Sequence, residues 1–226
     1  MNNPSVFETI GSKGNKIDLS VLEDTAISKI FKEFNEAILE KHFLDGDSLS
    51  ANTCYKRLQK IDSLNPVLKI MKRSLAAALQ DEVQQFLNKL LQDDPYEINK
   101  WRYSSVKYQN YVDYLERSME LLGRHHSMYN SLMAKKLFFE SYNLSHYSTS
   151  LYTYYPDSIR KLSRMKLYEA LQYKDDAMIN YLLGNSYQYS LFEDSVRHYY
   201  LKAMNLAPGV VTTLFRAFMV LFGSNV

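Results

Sequence analysis

From Asp18 onward the apolar residues fall three and four apart. Leu19, Leu22, Ala26, Ile27, Ile30, Phe31, Phe34, Ala37, Ile38 and Leu39 mark one stripe of an amphipathic helix, with Asp18 or Ser20 placed to cap it. The same spacing predicts a second helix from Ser48 or Ser50 through Tyr55, Leu58 and Ile61, stopped before Asn65-Pro66. A third spans about Val67 to Leu91, longer than the usual helix and so leaving room for a break near Gln80. Beyond Asp93-Asp94-Pro95 a helix opens at about Tyr96 and carries Trp101, Val106, Tyr108, Val112, Leu115, Met119 and Leu122 on its apolar side, with Gly123 marking either a boundary or a close helix contact. Met128 to Tyr142 repeats the pattern, and the Ser- and Tyr-rich text from Ser145 to Pro156 loses it and reads as a loop. Four further helices follow, at about Asp157 to Tyr173, Asp175 to Ser190, Glu193 to Leu206 and Val211 to Phe222. Residues 1–16 show no period and read as a flexible N-terminal arm, so the helical domain is expected to span 17–226.

Helices joined by short loops, without strand-helix alternation, predict an all-α fold of antiparallel neighbours. Composition agrees: 7 Gly and 5 Pro leave little material for the tight turns of a β-sandwich, and 46% hydrophobic residues suffice for a continuous core. Lys and Arg number 27 against 25 Asp and Glu, so the total charge demands no polyanionic partner and any phosphate site is local. One cysteine, Cys54, and an opening without a secretory pattern point to a reducing compartment, cytoplasm or nucleus. The most apolar stretch, Val210 to Phe222, contains Arg216 and falls short of the roughly 20 residues that cross a bilayer, so no membrane partner is expected.

Residues 181–208, YLLGNSYQYSLFEDSVRHYYLKAMNLAP, carry the most specific pattern. Leu183-Gly184 supplies the pair at which one helix is crossed closely by the next, since glycine has no Cβ to hold them apart. Tyr187 follows three residues later, and Val196, Tyr200 and Ala203 share a face of the next helix before Pro208 closes the unit. This is the signature of a tetratricopeptide hairpin, at about 177–208. The echo of LLGN in LLGR at 121–124 is not followed by the rest of the pattern.

Continued through PGVVTTLFRAFMVLFGSN, the segment is similar to the tetratricopeptide core of the SMG nonsense-decay factors and the yeast ever-shorter-telomeres telomerase subunit. Tyr199-Tyr200, Leu206-Ala207-Pro208 and the RAFMVLFGSN run carry the match, and Trp101 with Arg102 and Lys107 resembles the family's Trp-led helix. The resemblance implies a 14-3-3-like, antiparallel helical-repeat domain, non-catalytic and without a cofactor, expected to be the N-terminal part of a longer protein. In the nonsense-decay members a basic residue on the Trp-led helix and an arginine on the Leu-Gly helix bind phosphoserine peptides. Lys107 stands near the first position. Gln188 stands at the second, where an amide cannot pair with a dianion. That substitution, with the Tyr-, Asn- and Lys-rich composition, turns the expectation towards the telomerase branch: a nuclear scaffold that bridges telomerase RNA and enzyme to a telomere-bound protein. The alternatives are a phosphopeptide-binding decay adaptor and a generic protein-docking module. The groove residues are then Lys107, Arg124, Tyr187 and Gln188.

Two basic clusters are candidates for RNA or single-stranded DNA: Arg117, Arg124, His125, His126, Lys135 and Lys136, and then Arg160, Lys161, Arg164 and Lys166 beside the Tyr-rich text. Cations can hold phosphates while Tyr stacks on unpaired bases. Against this stands a solvated helix face on which Asp113, Glu116, Glu120 and Glu169 balance the charge. His125 and His126, read as helical, diverge by about 100° rather than sharing a metal face. Asp175-Asp176 and Asp93-Asp94 lie where helix starts favour negative charge. No phosphate loop, nucleophile elbow or zinc motif appears, so neither a metal nor a catalytic set is assigned.

Overall fold

A computed structural model describes residues 25–44, 49–91, 105–147, 157–187 and 193–208. The protein is all-α. The described residues form α1 (Thr25–Leu39), α2 (Ala51–Ile61), α3 (Pro66–Leu91), α4 (Ser105–Leu122), α5 (Tyr129–Tyr147), α6 (Asp157–Tyr173), α7 (Ala177–Tyr187) and α8 (Glu193–Leu206), and no strand occurs among them. The expected arm at 1–16, Trp101 and Arg102, the stretch 148–156, Gln188 and the helix at 211–222 lie outside the described residues. The chain forms two compact units, Met1–Met71 and Lys72–Val226, with the boundary inside α3.

In the first unit, α1 and α2 pack through Phe34, Cys54 and Leu58, which are fully buried. Phe31 and Phe34, three apart on α1, stack with centroids 6.4 Å apart. Glu33 and Arg57 tie the two helices by an ion pair of 2.8 Å. The turn between them begins with a Schellman closure: His42 N–H donates to Ala37 O (2.9 Å) and Lys41 N–H to Ile38 O (3.2 Å). Lys41 takes the left-handed position with φ 62°, where glycine is the usual residue. The chain then lies back on itself, Ala51 N–H donating to His42 O and Asn52 N–H to Phe43 O. Of the two serines expected to start α2, Ser50 is the cap, its Oγ accepting from Thr53 N–H at 3.0 Å. At the other end Asp62 Oδ1 accepts from Leu64 N–H and Oδ2 from the Asn65 amide, while Asn65 Oδ1 accepts from Val67 N–H. Pro66 opens α3, where the missing N–H has no partner to lose.

The second unit contains the larger core. Its centre is an aromatic group in which Tyr111 of α4 lies 5.2 Å from both Phe86 of α3 and Phe139 of α5, with Tyr142 buried beside them. The α3 helix runs unbroken past Gln80: the side-chain amide donates to Ala76 O in its own helix (2.9 Å) and to Ser118 Oγ on α4 (2.8 Å), so a cross-link stands where the sequence left room for a break. Buried Ser141 and Ser163 share a hydrogen bond of 2.7 Å between α5 and α6. Small side chains let these helices approach. The α5 helix extends five residues past the expected end at Tyr142, through Tyr147, because burial of Phe138, Ser141 and Tyr142 carries the turn on despite modest propensity. Gly123, at φ 87°, is the boundary of α4. His125 and His126 therefore lie in the turn that follows and not on a helix, correcting the 100° argument.

Contacts fix the direction of neighbours. Gln80 meets Ser118 while Phe86 meets Tyr111; Tyr111 meets Phe139 while Glu116 meets Lys136; Asp175 meets Lys202 while Tyr187 meets Tyr199. Rising positions on one helix pair with falling positions on the next, so α3/α4, α4/α5 and α7/α8 are antiparallel. In the α7/α8 hairpin Gly184 is buried, and a Cβ built on it would come within 2.9 Å of the Tyr200 ring. Val196, Tyr200 and Ala203 are all buried on α8, and the Tyr200 hydroxyl donates to Asn185 Oδ1. Asp176, rather than Asp175, caps α7, accepting from Met178 N–H at 3.1 Å, which places the start at Ala177.

Two stability outcomes follow. Gly184→Leu is expected to cost about 2–3 kcal/mol by overpacking against a ring held at both ends, read as a lowered thermal midpoint; an unchanged midpoint would contradict the close crossing. Lys41→Gly removes roughly 1–2 kcal/mol of left-handed strain, offset by roughly 0.4–1 kcal/mol of extra unfolded-chain entropy. A net gain of roughly 0.5–1 kcal/mol is expected in urea denaturation.

Candidate functional site

Arg164 and Tyr168 are four apart on α6 and so share a face, Tyr187 ends α7, and Tyr199 stands in the middle of α8. The three helices bring these residues into one part-exposed group. The Tyr168 and Tyr187 hydroxyls share a hydrogen bond of 2.7 Å, and Tyr199 donates to the Tyr168 hydroxyl at 3.1 Å. The rings of Tyr187 and Tyr199 stack, 6.0 Å apart and within 6° of parallel, and the Arg164 guanidinium lies 4.8 Å from the centre of the Tyr187 ring. Arg164 Nη1 also donates to Ser186 O at 3.0 Å. That is one of its five N–H donors.

This packing changes the chemistry of the phenols. Burial, reinforced by the hydrogen bond to Tyr168, pushes the Tyr187 hydroxyl up to about 12. Burial raises Tyr168 as well. Both stay neutral, and the group presents hydroxyl edges and one cation rather than an anionic phenolate. The Tyr187 ring is engaged by Tyr199 and Arg164, and the Tyr168 residue, its ring edge-on to Tyr199, is left 39% exposed.

The remaining candidates are distributed differently. The backbone of Lys107 lies in the first turn of α4 and Arg124 beyond its last, so about 22 Å of helix separates them at 1.5 Å per residue. Tyr187 is the groove residue that the fold joins to another candidate, Arg164. In the first basic cluster Arg117 pairs with Glu120 at 2.7 Å, and Lys136 with Glu116 at 3.2 Å and Glu140 at 3.3 Å. Lys135 turns to Gln84, donating to its Oε1 at 2.7 Å. In the second, Lys166 joins Glu140 at 2.8 Å and Arg160 approaches Asp157 at 3.8 Å, while Lys161 is exposed. Glu116, Glu120 and Glu140 thus balance much of the charge that the sequence groups as basic. Among the described residues no set of His, Cys, Asp or Glu is arranged to hold a metal. Cys54 is buried, and burial followed by the nearby Glu33 carboxylate pushes its thiol up, away from the reactive thiolate.

Sequence reasoning missed Tyr168 and Tyr199 as site members. The spacing Arg164 to Tyr168 was a usable signal for a shared face; the meeting of that face with α7 and α8 was not.

No protein-family model, no curated protein and no solved structure matches the chain. Fold and site together define an all-α protein of packed, antiparallel helices carrying a tyrosine-arginine surface. No described helix is long and apolar enough to cross a membrane.

The Tyr187 phenol has a testable pH signature. Unfolded, it loses its proton near pH 10; folded, it keeps it to about 12. Its contribution to stability is therefore complete below pH 10 and is lost as the pH rises from 10 to 12. Tyr187→Phe should flatten that loss in denaturation measured across the window; an equally steep loss would remove Tyr187 as its source.

Proposed function

We propose that the protein is a non-catalytic adaptor of the tetratricopeptide type, serving a ribonucleoprotein pathway as a telomerase-associated subunit. What supports the reading is the close Gly184–Tyr200 crossing at the positions where the sequence resemblance calls for a helix hairpin. Around that hairpin the Tyr168, Tyr187, Tyr199 and Arg164 side chains form a surface suited to docking: neutral hydroxyls for directional hydrogen bonds and a guanidinium with spare donors. Tyr and Arg are the residue types that concentrate binding energy at protein interfaces. In this reading α6, α7 and α8 present the partner face, RNA contacts use Lys161 and Arg164, and the site of action is the nucleus.

One observation favours a second reading, a nonsense-decay adaptor that binds phosphopeptides. Arg164 reaches across from α6 to Ser186 O, two residues before Gln188, and so brings a guanidinium to the end of the Leu-Gly helix where the resemblance expects one. A phosphoserine peptide would use its free N–H donors.

The two are separated by a salt titration of binding to structured RNA and single-stranded telomeric DNA, with a phosphoserine peptide assayed alongside. RNA binding whose affinity falls linearly in log salt supports the telomerase reading. Peptide binding lost on dephosphorylation and on Arg164→Gln supports the decay reading. Binding of none of these overturns both and leaves a plain docking module.

A further inference from the structure

In the second unit α3, α5, the turn between α6 and α7 and the first turn of α7 line a cleft of about 120 Å³. Its charged lining consists of Lys135, Lys174 and Asp176. Asp176 is already committed twice, capping α7 through Met178 N–H and pairing with Lys174 at 3.1 Å. Lys135 is left with a neutral partner, Gln84 Oε1 at 2.7 Å, and among the described residues no carboxylate pairs with it at ion-pair distance. A part-buried ammonium solvated by one amide is costly. Burial first, then the nearby Lys174 charge, lowers its pKa, and the Asp176 carboxylate offsets them only in part. The cleft holds two cations and one carboxylate, and it is short of one negative charge.

The rest of the lining defines what carries that charge. Leu87, Phe138 and Ile179, each at most 6% exposed, give an apolar wall beside the ammoniums. At about 120 Å³ the cleft has room for a carboxylate on a short aliphatic stem. A phosphate dianion fits poorly: the lining has no guanidinium fork, its net charge is a single positive one, and Asp176 would repel a second negative charge.

We infer that this cleft receives the glutamate side chain of a partner polypeptide, its carboxylate on Lys135 and Lys174 and its methylenes against Leu87, Phe138 and Ile179. The source of the carboxylate rests on the adaptor reading; the chemistry of the cleft does not.

The test is calorimetric titration of the 226-residue protein with acetyl-Ala-Glu-Ala-amide, its Gln and phosphoserine counterparts, and butyrate. The Glu peptide is expected to bind saturably and about tenfold more tightly than the Gln peptide, the difference made by one charge-assisted contact. Lys135→Met, which removes a part-buried charge, should weaken the Glu peptide about tenfold, and Lys174→Gln, which removes an ammonium already facing Asp176, should weaken it by less. Equal binding of the Glu and Gln peptides, or no saturable binding, overturns the inference. Tighter binding of the phosphoserine peptide assigns the cleft to phosphate instead, and butyrate binding as well as the peptide assigns it to a free small carboxylate. Failure of RNA binding with Glu-peptide binding retained would sink the telomerase assignment alone and leave the cleft standing.

Discussion

The hydrogen that stands in place of a side chain at Gly184 sets how near α8 comes to α7, and the tyrosine surface depends on that distance. With no Cβ in the way, the Tyr200 ring lies against the α7 backbone and its hydroxyl reaches Asn185, while Tyr181 packs on the ring 5.6 Å away. Tyr200 is thereby fixed in rotation, and its neighbour Tyr199 points about 100° away around α8. That direction is towards Tyr187 and Tyr168. The far end of the hairpin is held by Lys202 and Asp175 at 3.0 Å, so α8 is pinned in register at both ends of the contact. A bulkier residue at 184 would move the ring and, through the rigid helix, the hydroxyl network beyond it.

Periodicity made most of this architecture readable. Spacing placed α6 and α8 at their observed bounds, and the Leu-Gly pair identified the crossing before any coordinates. Two of the misses share one cause. Tertiary contacts extend α5 through a Ser- and Tyr-rich stretch of weak intrinsic preference, and they turn Gln80 from a suspected break into a link to Ser118. Capping shortens α7 at its start, because Asp176 spends its carboxylate on Met178 N–H. The first two choices depend on residues distant in the chain and are not visible in a window of neighbours; the cap is local, and there only the choice between two adjacent aspartates was open.

The site was legible by residue type and not by assembly. Tyr187 and Arg164 each stood out, one as part of the repeat signature and one as part of a basic run, and only the packing of α6 against α7 makes them partners. The basic runs show the converse. Lys136 reads as part of a basic run in sequence, yet α4 and α5 set Glu116 and Glu140 against it, and α6 adds Lys166 to the Glu140 carboxylate. Sequence groups charges along the chain; the fold pairs them across helices, and these half-buried pairs erase much of the local field.

That pairing changes where recognition is to be sought. A cation already facing a carboxylate must lose that partner before it gains another, so its net contribution to binding an anion is small. Lys135 differs because its neighbour is an amide, whose oxygen satisfies one N–H without neutralising the charge. Arg164 differs because its charge lies over a π face and its one hydrogen bond goes to a backbone carbonyl, again neutral. Both cations keep their charge available, and both sit where separate helices converge: one on the apolar cleft of α3, α5 and α7, the other on the hydroxyl surface of α6, α7 and α8. The α7 helix contributes to both, through Ile179 near its start and Tyr187 at its end, so the hairpin that Gly184 closes is the element by which two chemically different surfaces are held on one rigid piece.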